Sequence, residues 1–222
     1  MLDLYVDLVA NASAESSITL AFGINKSFKD QLKGHTAASQ IVFMLLEKKD
    51  VPNKKSPEKF VTLNASNNVY QAWGSFLRDP LYQWTKETNA GALGLNQHVS
   101  YIHSKFLLHD PLGLDPVVVT GSANFSEAST KDNDENMMVI RGSQRAADIY
   151  FTEFNRLFNH YYFRSVTEDI HRHATEEQIA KDAESLFLKE KAADWLVKYA
   201  PGTLKTKRLG MYSGAQGFTT LP

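Results

Sequence analysis

The sequence predicts an α/β protein in which a mostly buried β-sheet is packed between helices, and three observations carry that expectation. Apolar runs of strand length recur along the chain, and one of them, Ile41-Val42-Phe43-Met44-Leu45-Leu46, is apolar at every position, the pattern of a strand covered on both faces. Glycine, proline and asparagine punctuate these runs with turn chemistry. Around them apolar residues recur at helical spacing, most clearly Ala146, Ala147, Tyr150, Phe151, Phe154, Leu157, Phe158 and Tyr161. A chain of 222 residues can bury such a core unaided.

Taken in order, residues 2–13 place Leu2, Tyr5, Val6, Leu8 and Val9 on one side of a helix that ends at Asn11-Ala12-Ser13. A strand follows over 17–23, then a brief helix over 28–32 and the buried strand over 40–46, closed by Glu47-Lys48-Lys49-Asp50. Residues 51–59, with their prolines and lysines, read as a surface loop, and 60–63 as a further strand. The stretch 66–96 shows no clear period; Trp73, Phe76, Leu77, Tyr82 and Trp84 fit helical spacing, and 89–94 is a flexible glycine-containing segment. Strands return at 99–108, 116–121 and 136–140, with 113–116 as the turn between the first two. The aromatic helix after Gly142-Ser143 packs on the sheet. Residues 166–199 form one or two amphipathic helices with Ile179, Leu186, Ala193, Leu196 and Val197 on one face, and the last twenty residues a polar arm bearing Lys205, Lys207 and Arg208. The organisation expected is one domain over 1–164, carrying all of the chemistry described below, and a helical extension and tail over 165–222.

Composition excludes several function classes. With no cysteine, a disulfide scaffold, a cysteine nucleophile, thiolate-bound zinc and iron–sulfur clusters are ruled out. The 24 basic against 25 acidic residues argue against a uniformly basic nucleic-acid coat. Residues 1–9 carry Asp3 and Asp7 with no basic flank, unlike a targeting signal, and no apolar run approaches the roughly 20 residues of a membrane helix. The expectation is a cytoplasmic chain without a transmembrane segment.

The chemistry concentrates in three places. In Tyr101-Ile102-His103-Ser104-Lys105-Phe106-Leu107-Leu108-His109-Asp110, a strand would project His103 and Lys105 from one face, pairing an imidazole nucleophile or proton carrier with an anion clamp. In Gly121-Ser122-Ala123-Asn124, glycine allows close backbone approach, the Ser122 hydroxyl and Asn124 amide are neutral donors, and a helix start over 125–129 adds free N–H groups, a design for holding phosphate. The bland reading of that segment is an N-cap by Ser122 or Asn124. At the head of the 136–140 strand, Glu135 is placed to accept the second ring N–H of a histidine, fixing its tautomer and stabilising an imidazolium.

Together these residues resemble the phospholipase D superfamily, whose signature is His-x-Lys-(x)4-Asp, then Gly-Ser-x-Asn, then an acid. His103, Lys105 and Asp110 fall on the first part, Gly121, Ser122 and Asn124 on the second, and Glu135 on the acid; the resemblance covers about 17–162, one whole repeat. It implies a mixed sheet in an α-β-α sandwich and a metal-independent phosphodiester exchange without cofactor. One histidine attacks phosphorus to give a phosphohistidine while a second, from another copy of the motif, protonates the leaving oxygen, and water or an alcohol resolves the intermediate. The resemblance makes Lys105, Asn124 and Ser122 the ligands of the nonbridging oxygens and Asp110 a structural hydrogen-bond partner.

The sequence carries the first motif once, since His35 is followed by Thr36-Ala37 and lacks the matching lysine. The partner motif would come from a homodimer mate, as in the short nucleases of the superfamily, or from the missing amino-terminal half of a longer protein; the opening helix and the segment after 164 favour the second. Phospholipid is the first substrate expectation, on the neutral charge. The alternatives are a homodimeric nuclease and a noncatalytic anion-binding scaffold.

Other residues are not promoted. His103 and His109 would stand about 20 Å apart on a strand, too far to share a metal, and no metal site is expected. His171 and His173 sit among acids on a solvated helix. Ser122 lacks the Gly-x-Ser-x-Gly elbow of a hydrolase nucleophile. The aromatic stripe is core packing, and the cluster at 205–208 is too small to claim nucleic acid.

Overall fold

The computed structural model describes residues 1–21, 23–36, 39–55, 57–74, 102–173 and 191–213. Contacts divide the chain into two units, Met1–Glu168 and Asp169–Pro222. The first contains α1 (Leu2–Ala10), β1 (Glu15–Leu20), α2 (Lys26–Leu32), β2 (Ile41–Leu46), β3 (Val69–Trp73), β4 (Phe106–His109), β5 (Val117–Gly121), α3 (Glu127–Lys131), β6 (Met137–Arg141) and most of α4 (Gln144–His173).

Six strands form one sheet in the order β3-β2-β1-β4-β5-β6. β1, β2 and β3 run parallel, while β4 is antiparallel to β1, β5 to β4 and β6 to β5. The sheet is therefore mixed, as expected. Its topology brings the carboxyl ends of β1, β2, β3 and β5 to the same end as the amino ends of β4 and β6.

Alternation along β2 explains why all six of its residues are buried. Val42, Met44 and Leu46 join a core with Leu2, Tyr5, Val6 and Val9 of α1 and Phe28 and Leu32 of α2. Phe43 turns to the other face and meets Phe158 of α4, ring centroids 5.3 Å apart; Phe106 of β4 meets Tyr150 at 5.3 Å and Phe154 at 6.1 Å. The aromatic stripe of α4 is thus the packing surface that its spacing predicted, and the sheet has helices on both faces. β1 is buried throughout despite its polar sequence, because side chains such as Ser16, whose Oγ donates to the Val9 carbonyl at 2.8 Å, find backbone partners.

Several elements differ from expectation. α1 stops at Ala10, where the Asn11 N–H closes it on the Asp7 carbonyl. Residues 60–63 form no strand: Leu63 is buried, but its carbonyl accepts the Gln71 side chain at 2.9 Å, and the place beside β2 is filled by β3. Trp73, read at helical spacing, ends that strand; residues 75–96 lie outside the described ones, as do 99–101 of the next expected strand. That strand begins only at Phe106.

The second unit holds the end of α4, then α5 (Ala192–Leu196), a 3-10 turn Val197–Tyr199 and α6 (Leu204–Ser213). Helix α6 occupies part of the expected polar arm. Its Thr206 is buried, with Oγ1 donating to the carbonyls of Tyr199 at 2.6 Å and Ala200 at 2.8 Å, and Lys205 Nζ lies over the Tyr199 ring. Ala193, Leu196 and Val197 of the expected apolar face are exposed; Ile179 and Leu186 lie outside the described residues.

Candidate active site

Three adjacent strands deliver five of the signature residues to one end of the sheet. His103 and Lys105 precede β4, Ser122 and Asn124 follow β5, and Glu135 precedes β6. The register pairs Phe106 with Thr120 and Gly121 with Met137, so these three segments emerge side by side.

The histidine segment is not itself strand, contrary to the expectation that a strand face would align His103 and Lys105. Its backbone polar groups are taken by side chains instead of a ladder. The Ile102 N–H donates to the carboxylate of Glu47, the residue after β2. Thr19 Oγ1 accepts the Phe106 N–H at 3.0 Å and donates to the Ser104 carbonyl at 2.7 Å, so one buried hydroxyl spans Lys105. Ile102, 3% exposed, pins the segment to the core. His103 is exposed, and its ring makes no hydrogen bond among the described residues. Lys105 is half-buried and its Nζ donates to the His103 carbonyl at 2.8 Å.

Gly121 is required by packing on β6. A Cβ there would meet the Asn136 carbonyl oxygen at 2.1 Å and Met137 Cα at 2.8 Å. The close approach that glycine permits is therefore to the neighbouring strand. Beyond it, Ala123 and Phe125 are buried, Phe125 standing edge-on to Tyr5 at 5.3 Å, which turns the intervening Ser122 and Asn124 the other way. Ser122 Oγ accepts the Asn136 N–H at 3.0 Å and keeps its own hydrogen to donate. The Asn124 Oδ1 is buried without a hydrogen-bond partner among the described residues. Neither residue caps a helix: α3 starts later, with Ser126 Oγ accepting the Ser129 N–H at 3.3 Å. The helix start expected to offer N–H groups at Ser122 and Asn124 is thus displaced from them.

Electrostatically the site is a lysine facing an acid. Burial pushes the Lys105 ammonium below the usual lysine range, and the Glu135 carboxylate works against that shift. Glu135 is exposed, and the hydrogen bond expected between its carboxylate and a histidine ring is not among those of the described residues. Its electrostatic influence falls on Lys105.

Asp110 sits at the other end of β4. With φ 44°, it turns its carboxylate onto three backbone N–H groups, those of Ser13 and Ala14 at 2.7 Å and Glu15 at 3.1 Å. Burial would raise its pKa, but the donors of Ala14, Ser13 and Glu15, with the nearby His109, prevail and hold it below the usual carboxylate range. His109 Nδ1 lies 2.8 Å from the Leu8 carbonyl, at that same far end.

Sequence reasoning missed Thr19 and Glu47. A signal existed for both: each is a polar residue inside or directly closing a run that packs on both faces, where an unpartnered polar group is costly.

The family model described as cardiolipin synthase, PLD-like domain, matches residues 6–158. No curated protein matches the sequence. Similar solved structures include NucT from Helicobacter pylori, at 12% identity and TM-score 0.48, covering 71% of this chain and 87% of that one. They also include the phospholipase D family member Nuc from Salmonella typhimurium, at 15% identity and TM-score 0.45, covering 71% and 86%. Polyphosphate kinase from Porphyromonas gingivalis matches at 15% identity and TM-score 0.44, covering 71% of this chain and 22% of that one. The family match spans well over half of the chain and contains every signature residue from His103 to Glu135, so the chain belongs to the phospholipase D superfamily.

Proposed function

We propose that the protein is a metal-independent phosphodiester hydrolase or transphosphatidylase that works through a phosphohistidine. The observation that supports this best is the convergence of His103, Lys105, Ser122, Asn124 and Glu135 from three strands on one end of the sheet. The His103 imidazole attacks phosphorus, an N–P bond forms, and the P–O bond to the leaving group breaks. A second histidine, from another copy of the motif in a homodimer mate or in a further part of the protein, donates its proton to the departing oxygen. Water or an alcohol then attacks phosphorus, gives its proton to that second histidine, and releases His103. Lys105 supplies the positive charge opposite the nonbridging oxygens. Ser122 offers its free hydroxyl hydrogen and Asn124 its amide, neutral donors that need no reorganisation as charge develops.

A phospholipid is the proposed substrate, in keeping with the cardiolipin synthase description of the matching family and the near balance of charge. The test is turnover of bis(p-nitrophenyl) phosphate in excess chelator, followed by phosphatidylcholine and cardiolipin vesicles beside single-stranded DNA. Wild-type protein should hydrolyse the reporter with chelator present and form an acid-labile, alkali-stable phosphoenzyme that His103→Asn lacks. Loss of activity on chelation would overturn the metal-free mechanism; faster cleavage of DNA than of either lipid would overturn the substrate class.

A further inference from the structure

Glu47 is only 2% exposed, yet it follows six consecutive apolar residues whose packing leucine would continue equally well. Burying a carboxylate costs several kcal/mol unless a partner offsets it. One partner of this carboxylate is the Ile102 N–H, one residue ahead of His103. The ladder between β1 and β2 extends to Glu47, whose own N–H donates to the Leu20 carbonyl at 3.0 Å, so the origin of its side chain is fixed by the sheet. From there the carboxylate reaches past the end of β1 to a segment that has no strand partner of its own.

We propose that Glu47 is a positioning residue for His103: by accepting the Ile102 N–H, its buried carboxylate fixes the backbone from which the imidazole projects. This rests on the reading of His103 as the reacting histidine. The Thr19 hydroxyl holds the far side of the same segment, at Ser104 and Phe106, so the histidine and lysine lie between two side-chain clamps from neighbouring strands. A charge-assisted bond is the stronger kind. The alternative is that Glu47 merely ties the sheet to α4, since its charge also raises the pKa of the half-buried Tyr161, already raised by burial.

Three substitutions separate these roles in the full chain. Glu47→Gln keeps an acceptor oxygen at the same reach, Glu47→Asp keeps a carboxylate but is one methylene short, and Glu47→Leu has no acceptor. Positioning predicts that Glu47→Asp and Glu47→Leu lower kcat on bis(p-nitrophenyl) phosphate about 10²-fold with KM within threefold, the scale of a small displacement at a reacting centre. Glu47→Gln should recover to within about fivefold. A readout independent of activity is the NMR chemical shift of the imidazoles at one fixed pH: the His103 resonances should move in Glu47→Asp and return to their wild-type positions in Glu47→Gln, while those of His109, at the other end of the sheet, stay where they are in wild type. If Glu47→Leu does not fold, the Asp and Gln pair decides. Unchanged His103 resonances in Glu47→Asp, or a Gln variant as impaired as the Asp one, would overturn the proposal. A wild type that hydrolyses no phosphodiester would instead overturn the functional reading, and the imidazole resonances would still decide this one.

Discussion

The two ends of β4, a strand of only four residues, differ in how their side chains are held. At its amino end, His103 is exposed and without a hydrogen bond from its ring among the described residues, and Lys105 has lost part of its hydration. At its carboxyl end, Asp110 is surrounded by backbone donors from the chain entering β1. One motif thus contains a portion proposed to react, with few side-chain hydrogen bonds among the described residues, and a portion whose carboxylate accepts three backbone N–H groups. The difference shows that a motif's spacing need not describe one site. The strand between Lys105 and Asp110 acts as a ruler whose far end is fastened so that the near end can be left open.

Substitution at the open end should produce the larger change and leave stability almost alone. Lys105→Ala removes the charge proposed to face the nonbridging oxygens, and loss of one such donor typically lowers kcat by about 10²–10³-fold. Unfolding by urea should shift by less than about 1 kcal/mol, because the side chain is half-buried and, among the described residues, its hydrogen bond goes to the neighbouring His103 carbonyl. Equal loss of stability and activity would erase the contrast between the two ends.

At the fastened end the balance reverses. Asp110→Ala strips three charge-assisted hydrogen bonds and places alanine at φ 44°, a conformation that asparagine, aspartate and glycine tolerate better. A stability loss of about 2–3 kcal/mol is expected, with kcat of the folded fraction close to wild type. Asp110→Asn keeps an accepting oxygen and should lose less. The pH dependence follows from sign: the folded pKa is depressed, so the bonds stabilise the fold above the unfolded value near 3.9 and that stability is lost as pH falls through the lower, folded value. Urea midpoints between pH 2 and 7 should lose that acid-side slope in Asp110→Asn.

Most of this architecture was legible because it rests on periodicity. The apolar run of β2 and the aromatic stripe of α4 each announce one element, and the positions predicted to face the core do so. β3 was hidden because Val69-Tyr70-Gln71-Ala72-Trp73 is too short and mixed to show a period, and its pairing with β2 is a long-range fact. Residues 60–63 misled for the inverse reason: Leu63 is buried without entering a ladder. At the site, residue types and spacing were readable, but not what holds them. Thr19 and Glu47 act on residues far along the chain, and only the strand order β2-β1-β4 reveals that they meet the 102–106 segment.

The smallest effect refines the account of the open end itself. Glu135 faces Lys105 electrostatically and counters the burial that lowers the lysine's pKa. Glu135→Gln removes that opposition, so the Lys105 pKa falls further and its ammonium is lost at lower pH. The alkaline limb of kcat should therefore move toward neutrality, the rate on that limb falling about fivefold, the worth of roughly 1 kcal/mol between charges in a wet site, while the rate at pH 7 stays close to wild type. If Glu135 acted solely by orienting the histidine, the rate would fall by one factor across the whole range and the limb would stay in place. A pH–rate profile of Glu135→Gln beside wild type separates the two. A moved limb assigns the acid to the lysine, in keeping with its influence on the Lys105 ammonium, and makes the Lys105–Glu135 pair, more than the histidine's tautomer, what this carboxylate maintains.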